Sequence, residues 1–125
     1  MTFDTYQAEA HKTAIYPVGL LHKASRYGVQ LQHIKKAAWM YPALLLPSEV
    51  GELMSHLQKA FRDNDGELPE DKRQLFIKEI GDILWALAEL ATCLDMRLDD
   101  AAEGNIAKLA DRARRGTLQG SGDER

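Results

Sequence analysis

The chain has a single cysteine, Cys93, in 125 residues, which excludes an internal disulfide and any cysteine metal cluster. A reducing compartment fits such a chain. A surplus of positive charge is missing too: 16 Lys and Arg stand against 19 Asp and Glu, for a formal net charge of −3. That balance lacks the basic field on which non-specific nucleic-acid binding relies, so no nucleic-acid partner is expected and any phosphate binding has to be local. No apolar run approaches the ~20 residues of a membrane span, and the opening Met1 to Tyr6 has neither the basic leader nor the apolar segment of a signal peptide. The expectation is a cytoplasmic protein with no membrane partner. Alternating apolar and polar runs, the mark of half-buried strands, occur nowhere.

The chain instead carries 45% hydrophobic and 28% charged residues, an ordinary globular mixture. A chain of this length builds one core, so residues 1–125 are read as a single all-α domain. A short first helix is expected from Thr5 to Thr13, stopped by Pro17 and Gly19. Between Gly19 and Ala38 the apolar residues Val29, Leu31 and Ile34 give only a weak helical pattern. Leu46, Val50, Leu53, Leu57 and Phe61 then recur at helical steps, predicting a helix over about residues 43–63 that ends at Asp63-Asn64-Asp65-Gly66. Leu68-Pro69-Glu70-Asp71 reads as the next helix start. From there to about residue 95, Leu75, Phe76, Ile80, Ile83, Leu84, Leu87, Leu90, Ala91 and Leu94 cover a face too wide for one neighbouring helix, which points to oligomerisation. A last helix over about residues 98–114 has Ile106, Leu109 and Ala113 as its apolar positions, and the Gly-rich residues 116–125 read as a mobile tail.

The two long helices share a pattern: Glu49-Val50-Gly51-Glu52 on one, Glu79-Ile80-Gly81-Asp82 on the other. Acids at i and i+3 lie on one helix face, close enough to share a cation. A lone pair of this kind more often marks a solvated surface. Here, however, Glu49 lies between Leu46 and Leu53, and Glu79 between Phe76 and Ile83, so both sit beside apolar stripes where an unpaired charge is costly. Each pair also encloses a glycine, which costs on the order of 1 kcal/mol in a helix interior. Close approach of the two helices at Gly51 and Gly81 would offset that cost and bring all four carboxylates together. Such a cluster requires cations or protonation. All-oxygen ligation selects Mg²⁺, with Mn²⁺ as an alternative, and Mg²⁺ completes its shell with water and substrate phosphates. Asn105, Lys108 and Arg112 form a stripe on the last helix, followed by Arg115, and these residues are candidate phosphate contacts; Lys59 and Arg62 are secondary ones.

The runs Tyr41-Pro42-Ala43-Leu44, Glu49-Val50-Gly51-Glu52, Glu79 to Trp85, Asn105 to Arg112, Arg115-Gly116-Thr117-Leu118 and Gly120-Ser121-Gly122-Asp123 together resemble the MazG-like nucleotide pyrophosphohydrolases. The resemblance implies an all-α NTP pyrophosphatase bundle completed by oligomerisation as a homodimer or homotetramer. It implies a nucleoside triphosphate substrate cut to monophosphate and pyrophosphate. By position, Glu49, Glu52, Glu79 and Asp82 are the implied Mg²⁺ ligands, and Glu49 or Glu52 is also the implied catalytic carboxylate that orients or deprotonates water. Asn105, Lys108, Arg112 and Arg115 are the implied phosphate contacts, and Trp39, Tyr41 and Trp85 the implied base contacts. The chain departs from the family at Leu46-Pro47-Ser48, where small residues are usual. Pro47 is expected either to start the metal helix or to kink it before Glu49. Residues 18–38 match no family motif and are expected to form a base-facing wall. The competing reading is a non-catalytic helical oligomerisation module. A ferritin-like di-iron site is disfavoured because its Glu-x-x-His motif is missing, and helix-turn-helix DNA binding by the acidic balance.

Overall fold

The computed structural model describes residues 1–16, Arg26 and residues 37–122. These contain four α-helices and no strand: α1 (Phe3–His11), α2 (Met40–Asp63), α3 (Arg73–Cys93) and α4 (Leu98–Arg115), with a short 3-10 turn Glu70–Lys72 leading into α3. No described helix is long and apolar enough to cross a membrane. The weak pattern between Gly19 and Ala38, and the wall expected of residues 18–38, fall almost entirely outside the described residues.

Helix α1 begins two residues before its expected start because Thr2 caps it: the Thr5 backbone N–H donates to Thr2 Oγ1 at 3.1 Å. Helix α2 continues through Pro47 as one element from Met40. Proline therefore neither starts this helix nor ends it. Its missing N–H leaves the Ala43 carbonyl without the usual partner four residues on. At the far end Asp65 (φ 51°) and Gly66 (φ 84°) turn the chain in the left-handed region, and the Gly66 N–H donates to the Phe61 carbonyl at 3.2 Å. Pro69 lies just before the 3-10 turn, not inside the helix. Helix α4 ends at Gly116 (φ 69°), with the Thr117 N–H donating to the Arg112 carbonyl at 2.9 Å.

Helices α2 and α3 form an antiparallel pair, α1 packs on α3, and α4 packs on α1. Small residues line the seams: Ala10, Ala60, Ala86 and Ala88 are buried, with Phe76 the one large apolar core side chain among the described residues. The buried face of α2 is offset from the expected stripe. Ala60 is inside while Phe61 is 75% exposed, since Glu49 and His56 occupy part of the inward face. On α3, Ile80 and Leu87 face outward, as does Leu94 at its C-cap, and Ala86, Ala88 and Glu89 take the interior. The apolar positions assigned to the last helix are likewise exposed, Ile106 by 67%, and Arg112 is its buried residue. Much apolar surface is thus exposed among the described residues.

Reciprocal capping docks α1. Asp99 Oδ1 accepts from the Phe3 N–H at 2.9 Å, and Asp4 Oδ1 accepts from the Asp99 N–H at 3.2 Å. Each acid thereby satisfies an otherwise unpaired donor at the other helix's start. Arg97 Nε donates to Asp4 Oδ2 at 2.7 Å, and Gln7 bridges Thr92, the Met96 carbonyl and the Leu98 N–H. This docking sets α1 alongside the acid-bearing turn of α3.

Candidate metal centre

Glu49 of α2 and Glu79 and Asp82 of α3 converge, each offering one carboxylate oxygen, all within 4.8 Å of one another. The helical repeat places Glu79 and Asp82 on one face of α3, and the antiparallel pairing brings Glu49 opposite. Glu79 is buried, Glu49 half-buried and Asp82 exposed, so the group opens toward solvent on one side. Burial first, then the charges of Glu52, Asp82 and Glu79, push the Glu49 carboxyl above its ordinary range. Glu52 is therefore near enough to be felt, but it is exposed and stands outside the converging three.

No Lys or Arg forms an ion pair with the three acids among the described residues. Their one basic neighbour there is His56, whose Nε2 lies 3.5 Å from Glu79 Oε1. Close carboxylates without a full counter-charge fit a hard divalent cation with oxygen ligands. From α1, the Tyr6 hydroxyl donates to the Gly81 carbonyl at 3.4 Å, and burial together with the Asp82 charge raises its pKa, so it stays protonated. His56 and Tyr6 were not singled out in the sequence. His56 falls on the helical stripe of Glu49 and Glu52, a signal that was present, whereas Tyr6 is placed only by the docking of α1.

The expected close approach of the helices at Gly51 and Gly81 does not occur. A Cβ added at either glycine meets nothing within 4 Å among the described residues. The acids meet through the reach of their carboxylate side chains, not through contact at the two glycines.

One turn beyond Asp82 on α3, Trp85 belongs to an aromatic group. Tyr16 stacks on Tyr41 with ring centroids 4.5 Å apart and meets the edge of Trp85 at 6.5 Å. Trp85 Nε1 donates to Thr13 Oγ1 at 2.8 Å, while Trp39 is partly exposed outside these ring contacts. Beneath lies Glu89, 0% exposed, with His11 Nδ1 3.2 Å from both its oxygens and the Tyr16 hydroxyl donating to it at 3.3 Å. Burial, Cys93 and Glu89 push the Tyr16 hydroxyl far above its ordinary range.

The basic stripe of the last helix is placed differently. Asn105 and Lys108 are exposed on α4, Arg112 donates to the Gly122 carbonyl at 3.3 Å, and Arg115 Nε donates to Asp111 Oδ2 at 2.7 Å. Helix α4 packs on α1, and among the described residues none of these four forms a hydrogen bond or ion pair with the three acids. The tail through Gly122 folds back on Arg112, and residues 123–125 lie outside the described residues.

A family model for the MazG nucleotide pyrophosphohydrolase domain matches residues 42–117, a span that holds all four expected ligands and the stripe of α4. The chain is also similar to the Gene 37 protein of Mycobacterium phage L5, with 37% identity over 125 residues and coverage of 100% of both chains. No solved structure matches the chain.

Proposed function

Since the chain belongs to the MazG nucleotide pyrophosphohydrolase family, we propose that it is a Mg²⁺-dependent enzyme. It hydrolyses a nucleoside or deoxynucleoside triphosphate to the monophosphate and pyrophosphate. The convergence of Glu49, Glu79 and Asp82 carries this reading, because such a carboxylate group is tenable in the native state with a divalent cation between its members. When bound, the cation supplies charge neutralisation and Lewis-acid polarisation of phosphoryl oxygens.

The protein's own groups do the rest. Glu49, Glu79 and Asp82 hold the site, with Glu52 as a fourth acid at its exposed rim. Glu52, outside the converging three, accepts the proton of the water that attacks the α-phosphorus. A new oxygen–phosphorus bond forms as the bridging bond to the β-phosphate breaks, and pyrophosphate departs with its charge compensated. The stacked Tyr16 and Tyr41 and the edge of Trp85 bound the side of the site suited to a base. Asn105, Lys108, Arg112 and Arg115 serve the substrate phosphates only if a second subunit brings its own α4 to this site, so a homodimer or homotetramer belongs to the proposal. The cytoplasm, with its reducing conditions and its nucleotide pool, is the compartment it fits.

The test is a panel of ribo- and deoxynucleoside triphosphates with Mg²⁺, scoring monophosphate and pyrophosphate. Turnover of at least one, lost on chelation, supports the reading; none by folded protein ends it. A non-catalytic interaction module is the second reading, favoured by the apolar groove lined by Leu53, Leu57, Phe76, Ile77 and Ile80. It predicts no effect of Mg²⁺ on the melting temperature, whereas a cation that binds the native state raises it.

A further inference from the structure

The stripe of α2 does not stop at the acids. Glu49, Glu52, His56, Lys59 and Asp63 follow at helical steps of three and four, and on the antiparallel α3 side Asp82, Glu79 and Phe76 lead back to Lys72. Between them lies a cleft of about 370 Å³ lined by His56, Lys59, Asn64, Lys72, Leu75 and Phe76. It begins where the metal centre ends, since His56 both lines it and touches Glu79.

Its charge is the reverse of its neighbour's. Lys59 forms no ion pair or hydrogen bond among the described residues, and Lys72 has only a loose 3.8 Å pair with Asp71. Asp63 also lines the cleft, but Arg62 already holds its carboxylate through Nε at 2.6 Å and a second nitrogen at 2.8 Å. At roughly 1.5 Å per residue, Lys59 lies about 10 Å beyond Glu52 along α2, within the combined reach of a lysine side chain and a phosphate chain that starts at the acids.

We propose that this cleft seats the terminal phosphates of the substrate, and afterwards the leaving pyrophosphate, with Lys59 and Lys72 as counter-charges. The inference rests on the metal-centre reading above and adds a direction to it. Aromatic rings flank the acids at the Tyr41 and Trp85 end, and ammonium groups flank them at the Lys59 and Lys72 end. A nucleotide whose α-phosphate lies at the acids therefore runs along the α2–α3 seam, base toward Trp85 and pyrophosphate toward Lys72. Lys59 comes from α2 and Lys72 from the 3-10 turn that leads into α3, so this seat does not depend on the placement of α4.

Isothermal titration with inorganic pyrophosphate in Mg²⁺ buffer tests the proposal on wild type, Lys59→Ala, Lys72→Ala and the double variant. Lys78→Ala, an equal loss of charge on α3 outside the cleft lining, is the control. Each cleft variant is expected to weaken pyrophosphate about five- to tenfold and the double variant more, with Lys78→Ala unchanged. Affinity for the four deoxynucleoside monophosphates, which lack the terminal phosphates, should not move. Lys59→Arg should recover most of the loss.

Wild-type-like pyrophosphate affinity in the double variant overturns the proposal, and so does an equal loss of monophosphate affinity. If wild type turns over triphosphates but the double variant keeps its pyrophosphate affinity, the cleft assignment fails and the proposed activity stands. If wild type turns over none yet binds pyrophosphate through these lysines, the activity fails and the cleft stands.

Discussion

Glu49 and Glu79 come from different helices, yet offer carboxylate oxygens within 4.8 Å of one another, with Asp82 completing the group. Glu79 is buried, so its charge is exposed to this repulsion with little screening by solvent. The energetic consequence differs with and without a cation, and that difference is measurable.

Replacing Glu79 by Gln removes one charge from the group. The metal-free protein is expected to melt at or above the wild-type temperature, because repulsion is relieved, while the upward shift on adding Mg²⁺ shrinks or vanishes. Pyrophosphate release should fall about a hundredfold or more, the loss of a few kcal/mol of charge stabilisation. Calorimetry with EDTA or Mg²⁺, run beside a pyrophosphate assay, checks both halves. Glu79→Gln protein with a full Mg²⁺ shift would remove Glu79 from the ligand set.

The pH response follows from Glu49. Its carboxyl titrates above the ordinary 4.5 because of burial and the charges of Glu52, Asp82 and Glu79. A group with a raised folded pKa favours the native state below its unfolded value and loses that contribution as pH climbs through the folded value. In EDTA, the stability of wild type relative to Glu49→Gln should therefore decline as pH rises from below 4.5 through the raised value. With Mg²⁺ the decline should reverse, since the cation binds the ionised form. A flat difference across that range in EDTA contradicts the expectation.

Asp4 has the opposite sign. Its hydrogen bond with Arg97, above all, holds its carboxyl below the ordinary 3.8. That contribution is present above 3.8 and is lost as pH falls through the lowered value. Asp4→Asn should thus cost stability at neutral pH and little once the medium is acid enough to protonate Asp4. Urea melts of both proteins at several pH values read this directly; a cost that persists unchanged in acid would show that the carboxylate charge is not its source.

Gly51 lies in the interior of α2, and a Cβ there meets nothing within 4 Å. Gly51→Ala should therefore stabilise the protein by about 0.5–1 kcal/mol through helix propensity alone. A higher denaturation midpoint is the expected readout. A lower one would mean that a surface beyond the described residues, such as a second subunit, packs against this glycine.

Glu89 is fully buried, and His11 Nδ1 approaches both of its oxygens at 3.2 Å. His11→Ala should destabilise the fold by about 1–3 kcal/mol, because it strips a buried carboxyl of a partner without removing the carboxyl. Double-mutant analysis with Glu89→Gln should recover part of that cost. Additive losses would show that the two residues do not support one another.

Much of this architecture was legible in order along the chain. The turn at Asp63 to Gly66, the long third helix and the last helix each have a local cause: left-handed turn residues, a run of good helix formers, acids in a first turn and glycine after the last one. The acid positions were legible for the same reason, since spacing of three places side chains on one face wherever the helix goes. Less legible was which face turned inward. Phe61, Ile80 and Ile106 fit apolar stripes, yet they remain exposed, because the seams are closed by alanines and by the polar Glu49, Glu79, Glu89 and His56. Periodicity ranks residues by hydropathy and has no knowledge of which neighbour is available to cover them.

By itself, the sequence determined that this chain is helical, where its long helices lie, and that paired acids recur at helical spacing on two of them, because those properties depend on residues within a few turns of one another. Only the tertiary structure decided that Glu49, Glu79 and Asp82 meet while Glu52 stays at the rim. It alone brought Tyr6 to Gly81 and Tyr16 to Glu89, placed Arg112 against its own tail, and set Lys59 and Lys72 around one cleft. Those relationships depend on the rotation and offset of one helix against another, which follow from the packing of small side chains in the seams and from the reciprocal caps that dock α1.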